Sequence, residues 1–323
     1  VDGLSSSVDN IVLRGTGMDA ESGTVLRFDN STNGAEGIRA TGNNFVVQDL
    51  AVENTSGDAI KVKDANGVTF RRVRVEWTNG PDENNGAYGL YPVGCRNVLI
   101  EDSEVRGASD AGVYVGQSEN IIVRRNYVYE NVAGIEIENS KFADVYENNT
   151  TGNTGGILVF DLPGPPVQGG EAVRVFDNMI VANNEPNFAP KGNIVGQVPT
   201  GTGLMIMAND DIEAFNNTIK DNISFGALVV SYYFVDLNIS KETYDPVPEK
   251  IYIHDNDMSN NSTDPQGDAA ALPGLFGQSV AIMYDSSGVG TDAGLLLEFP
   301  EGLTEDQAIC IVDNAPESSI GRL

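Results

Sequence analysis

A chain of 323 residues with 40% hydrophobic content holds enough apolar side chain for a continuous core, and no apolar run reaches the ~20 residues needed to cross a bilayer as a helix. The formal net charge of −28 and the pI near 4.1 exclude nucleic acid and anionic membranes as natural partners, because both require basic surface to displace counterions. They also weigh against a polyanionic ligand unless a local basic patch exists, and they suit an extracellular, marine or halophilic protein kept soluble by self-repulsion.

In chain order, the sequence opens at Val1 with neither a charged n-region nor an apolar h-region, so any export signal has been removed or was never present. Residues 1–43 read as irregular first coils of a solenoid. VDNIVLRGTG, TVLRFDN and GIRATGNNFVVQDL alternate as strands do, and no polar cap is evident before them. Regular coils follow over residues 44–261. They run through FVVQD-LAVEN, VTFRRVRVEW and NVLIEDSEVRG, each with a third short strand such as DAIKVKD, GLYPVG or AGVYVGQ.

The pattern is clearest in SENIIVRRNYVYENVAGIEIENSKFADVYENNTTGNTGGILVF, residues 118–160, which holds two copies of one unit. Asn126 and Asn131 return as Asn148 and Asn153, and the same spacing recurs at 178/183, 217/222 and 256/261. Such a unit cannot bury its apolar side alone and must stack on a neighbour, which predicts a parallel β-helix of about 9 to 11 coils. An Asn at each inward corner satisfies its amide by bonding the equivalent Asn above and below, so these residues are expected to be structural. Extra residues leave the solenoid at two corners: Thr78–Gly86, Asn184–Thr200 and Ser262–Gln278 after the second Asn, and Asp161–Gly169 and Tyr232–Glu249 after the third strand. Residues 262–323 complete the domain as C-terminal coils, the last built from LLLEF with AICIV. The whole chain, 1–323, is thus expected to form one elongated domain. Cys95 and Cys310 fall at opposite ends of the array and are expected as two buried thiols, not a disulfide. Sequons at Asn30, Asn54, Asn222 and Asn238 would matter only in a eukaryotic secretory pathway.

VRRNYVYENVAGIEIENS and SDAGVYVGQSENIIVRRN resemble the right-handed parallel β-helix repeat of carbohydrate-binding proteins and sugar-cleaving enzymes. The order GLYPVGCRNVLIEDSEVRGASDAGVYVGQS, with GILVFDLPGPP after it, is similar to exported bacterial β-helix proteins whose function is not established. The resemblance covers roughly Asn44 to Asn261 and implies an all-β, single-stranded right-handed parallel β-helix at a secreted, periplasmic or cell-surface location. Catalytic elements of enzymes on this fold are not matched. The vWiDH-type element of pectate lyases and the calcium repeat Gly-Gly-x-Gly-x-Asp are missing, and the single histidine, His254, sits in Ile-His-Asp, not Gly-His-Gly. Asp245-Pro246 and Asp264-Pro265 do not continue as the Asp-Pro-His-Asp of alginate epimerases.

The Asn register sorts strand residues into inside and outside. Two positions before the first Asn stand Arg124, Tyr146, Phe176, Phe215 and His254, an outward column with rungs about 4.8 Å apart. With Asp144, Arg174, Glu213 and Tyr252 beside it, this column is a candidate platform for sugar rings, or else a face covered by a loop or partner. If the chain cleaves uronic-acid polymers, His254 or Tyr252 is the candidate base and Arg174 the candidate carboxylate neutraliser. A second outward column, Leu158, Phe160, Met205, Met207 and Val229, is expected to be a small second core beneath the long loops. Arg72, Arg74, Glu104 and Arg106, with Tyr127 and Tyr129, form a sugar-binding patch or a set of solvated ion pairs. No cofactor is implied; Asp210-Asp211 and Asp82-Glu83-Asn84 are candidate Ca²⁺ ligands.

Two functions follow. One is an extracytoplasmic protein that binds or cleaves a polysaccharide along its outer face, as a lyase, epimerase or glycoside hydrolase in the second case. The other is a non-enzymatic subunit of an envelope or extracellular assembly, whose uncapped ends would permit homo-oligomers or end-to-end stacking.

Overall fold

Two corners of each coil turn on a single residue in the left-handed backbone region. Arg125, Glu147, Asp177, Asn216, Asp255 and Asp313, each directly before the first Asn of a coil, have φ of 52–55°. Before the second Asn, Glu130, Ala182, Asp221 and Asn260 have φ of 53–58°. Such a conformation costs a non-glycine residue on the order of 1 kcal/mol, and the next residue, the Asn, repays it from inside the corner. The computed structural model describes residues 2–32, 34–240, 242–271, 280–284, 309–316 and 320–322.

The Asn residues form two continuous buried ladders. Asn126, Asn148, Asn178, Asn217, Asn256 and Asn314 pass amide hydrogen bonds of 2.8–3.0 Å from Nδ2 of one to Oδ1 of the next. Asn131, Asn153, Asn183, Asn222 and Asn261 do the same at 2.9–3.2 Å. Each acceptor oxygen also takes the preceding rung's backbone N–H, so the corners are tied twice. Glycine follows the second Asn because the amide needs its space. A Cβ on Gly156 would lie 2.6 Å from the Gly203 carbonyl and 2.8 Å from Asn183 Nδ2.

All strand pairing between coils is parallel. First and second strands build an 18-stranded sheet and third strands an 11-stranded sheet, which is the single-stranded right-handed parallel β-helix expected. Inward positions stack like on like: Val123, Val145, Val175, Ala214, Ile253 and Ile311 occupy successive rungs. Across the core they meet Val113, Ile135, Ile157, Leu204, Ala227 and Ile282 of the third strands.

The long loops leave where the periodicity breaks, and they cover a second apolar core on the outer face of the 11-stranded sheet. Leu158, Phe160, Met205 and Met207 are buried there under Val195 and Val198 of one loop and Tyr244 of another. Val229 is a correction: it belongs to the inner core, and its neighbours Leu228 and Val230 point outward. Cys95 is buried and free as expected, but Cys310 is exposed, since Ile309 and Ile311 take the inward positions beside it. The sequon residue Asn222 is a buried ladder rung. Arg74 is likewise not solvated: it is buried, bonding Glu53 at 2.5 Å, Glu76 and the Met18 carbonyl. The LLLEF segment lies outside the described residues.

Candidate functional site

Outward residues of the third strands follow one another along the helix axis. Upstream of the apolar stretch Leu158–Met205 the same column continues as Glu136, then Tyr114, Tyr91 and Lys61. The neighbouring column runs Gly116, Glu138, Phe160, Met207. The register that builds a second core downstream therefore brings buried polar residues together a few rungs away.

Three tyrosines and three carboxyl groups meet there. Tyr88, Tyr91 and Tyr114 pack as a trimer with centroids 4.5, 4.5 and 4.9 Å apart, the last pair edge-on. Asp110, at the bend before the strand Ala111–Gly116, lies beside them with Glu136 and Glu138 from the strand Ala133–Glu138. Glu136 is 1% exposed, and Asp110 and Glu138 are each 6%. Tyr114 donates its hydroxyl to Glu138 Oε1 at 2.6 Å, and Asn193 of the 184–200 loop donates to Asp110 Oδ2 at 3.1 Å. Glu136 Oε2 is buried with no hydrogen-bond partner among the described residues. At the upstream edge Lys61 places Nζ 4.5 Å over the Tyr91 ring and 3.0 Å from Asp58 Oδ2.

Burial and mutual repulsion both favour protons on these acids. Desolvation, then the charge of Glu138, pushes the Asp110 carboxyl up to about 7 against hydrogen bonds from Tyr88 and Asn193. Glu136 is raised well above the usual carboxylate range by burial and by Asp110 and Glu138. Glu138 is raised by burial too, but Tyr114 and Glu136 stabilise its ionised form. Glu136 thus holds a proton beside Glu138, an arrangement able to give one up. The tyrosine hydroxyls are raised as well, chiefly by burial, and stay neutral donors.

The residues expected on the first-strand face are together, but engaged differently. Tyr146, Phe176, Phe215 and His254 do stack, with centroids 4.8, 5.1 and 5.4 Å apart and planes within 7°. In that geometry each inner ring covers its neighbour's face, so a sugar would meet ring edges. His254 is further stacked on Tyr252 at 3.9 Å and held by Asp255 at 2.8 Å and Glu213 at 3.2 Å. Arg174 is bound in fork fashion by both oxygens of Asp144 at 2.8 Å, so its guanidinium is already matched by a carboxylate. Tyr252, at 39%, and Arg174 are the exposed members. For the candidate Ca²⁺ ligands, Asp210 accepts the Glu249 N–H and Asp82 is folded onto Asn84. Among the described residues no three His, Cys, Asp or Glu side chains are grouped to hold a metal.

Asp110, Glu136, Glu138, Tyr88, Tyr91 and Tyr114 are the residues that periodicity alone passed over. The signal was present: carrying the outward column of Leu158 and Met205 upstream by whole rungs leads directly to Glu136 and Tyr114.

A family model described as "Right handed beta helix region" matches residues 5–164 and 82–243, and the chain belongs to that family. Among solved structures it is similar to the A-module of the mannuronan C-5 epimerase AlgE4 of Azotobacter vinelandii, at 15% identity and a TM-score of 0.57. That match covers 99% of this chain and 81% of the epimerase module. An exopolygalacturonase of Thermotoga maritima is similar at 11% identity and a TM-score of 0.47, covering 88% of this chain and 82% of that one. The DFA-IIIase of Arthrobacter chlorophenolicus A6 is similar at 14% identity and 0.47, covering 99% and 70%. No curated protein matches. The likeness to the epimerase module establishes the fold.

Proposed function

We propose that this protein binds a polysaccharide along the outer face of the 11-stranded sheet and cleaves it by acid–base chemistry at the Asp110–Glu136–Glu138 cluster. The observation that carries this is Glu136 Oε2, a buried carboxyl oxygen left unpaired beside a second carboxyl and a tyrosine trimer. An unsatisfied buried carboxyl destabilises the fold, and such groups concentrate where a ligand completes them. In the reaction, protonated Glu136 gives its proton to the glycosidic oxygen as the C–O bond breaks, and water adds to the sugar carbon and releases its proton to solvent, while Glu138 holds the Glu136 carboxyl in place. Tyr91 and Tyr88, half-buried at the upstream mouth, offer ring surface to the sugars. The fold neighbour named for mannuronan gives a precedent for a polymer on this scaffold, and a polymer substrate suits a secreted or periplasmic location.

Titration calorimetry with a panel of soluble polysaccharides tests this. At least one should bind, and Tyr91→Ala should weaken it about tenfold, the worth of one aromatic contact. No heat from any glycan, or an unaffected variant, would contradict it.

A second function is favoured by the exposure of Tyr252. A glycan or an envelope protein would dock on the first-strand face, against the edges of Tyr146, Phe176, Phe215 and His254, with Asp144, Arg174 and Glu213 as polar contacts. His254→Ala would then remove binding that Tyr91→Ala leaves intact.

A further inference from the structure

Which glycan the third-strand face takes is constrained by its charges, and here the inference rests on the function proposed above. The charges that act most strongly on Asp110 and Glu136 are other carboxyls. None of the three acids has an ion-pair partner among the described residues. The cations of this face stand upstream and are matched: Lys61 with Asp58 at 3.0 Å and Lys63 with Asp64 at 3.8 Å. Arg39 is exposed one rung beyond Lys61. Lys61 itself is three rungs from Glu136, about 14 Å at strand spacing. Downstream of Glu136 the column turns apolar through Leu158, Met205, Leu228 and Met283. Of the loops over this face, 161–169 carries no Lys or Arg, 184–200 carries Lys191, which is exposed, and 232–249 carries Lys241, which lies outside the described residues. The segments 272–279 and 285–308 contain neither residue type.

We infer that the site accepts only a glycan without carboxylate or sulfate groups. A uronate placed at the cluster would bring a further negative charge to within a few ångströms of at least one ionised acid, with no cation paired to either among the described residues. A sugar hydroxyl suits the same place, because it carries no charge and donates to a carboxyl oxygen such as Glu136 Oε2. Among the described residues no local cation is placed to neutralise a uronate during proton abstraction, which directs the chemistry to glycosidic cleavage and away from elimination or epimerisation.

The test isolates charge. Wild-type protein is titrated at pH 7 with oligouronates, with the same oligomers after reduction of their carboxyls to alcohols, and with neutral gluco-, manno-, xylo- and galacto-oligosaccharides. The expected result is that a neutral or carboxyl-reduced oligomer binds at least about 100-fold more tightly than its charged parent, the order set by one like-charge contact near a protein surface. Glu138→Gln should narrow that ratio. Charged oligomers binding as tightly as their reduced forms would overturn the inference and leave the glycan site standing. Binding of no oligomer of any kind would overturn both.

Discussion

Asn178 shows what a single corner residue does. It accepts the backbone N–H and amide of Asn148 and donates to Asn217 and to the Val145 carbonyl, all while buried. Asn178→Ala orphans those groups and should cost about 2–4 kcal/mol in chemical denaturation. Asn120→Ala, on an exposed Asn pair with a left-handed φ of 57°, should cost only the backbone penalty of about 1 kcal/mol. Equal costs would mean the buried ladder is not what ties the coils. Asp110 gives the pH prediction. Its carboxyl goes from the usual 3.8 to about 7 on folding, so the folded state binds the extra proton between those values. Its contribution is fully present below pH ~4 and lost as pH rises through ~7. The melting temperature should therefore fall between pH 5 and 8, in the same sense as for Asp161 and Asp210, raised to about 6 and 7. Asp110→Asn should flatten the decline and add about 1–2 kcal/mol at pH 8; an unchanged slope would mean Asp110 is already ionised. The Asn ladder was legible in the sequence wherever its pair spacing repeats; Asn314, a rung with no second Asn five positions on, was not, and neither were the acids, because each occurs in one coil only.

At the scale of elements, the loops do more than decorate. Phe160 points away from the main core yet is 1% exposed, since the loops close over it with Leu158, Met207 and Tyr244. Phe160→Ala should therefore cost about 3–5 kcal/mol, as in a primary core, read by thermal or guanidinium unfolding; a loss under about 1 kcal/mol would mean the loops are only loosely laid on. Loop positions were legible from the coil spacing, and so was the second core. The facing of Val229 was not, because Phe225–Val230 is apolar at nearly every position and alternation carries no sign there. Glycine supplies what alternation lacks: Gly226 occupies the place of Gly156 and Gly203 against the Asn ladder, which sets Ala227 and Val229 inward. Cys310 misled in the same way, as one apolar letter in a short apolar strand.

For the whole molecule, a regular solenoid bears two outer faces with opposite characters. The first-strand face holds a ring stack whose faces are mutually covered and whose charges are paired. The third-strand face holds buried acids, one oxygen unpaired, under a loop anchored by Asn193. Sequence alone pointed to the first, because stacked aromatics recur and are easily counted, while the second depends on which singular residues the rungs bring together. The two faces are separated most directly by reducing-end release from a neutral glycan that the protein binds, measured for wild type, Glu136→Gln and His254→Ala at pH 6. The account predicts that Glu136→Gln lowers kcat at least about 100-fold, the share of a general acid, while His254→Ala stays within about threefold. Full activity of Glu136→Gln together with loss in His254→Ala would contradict it.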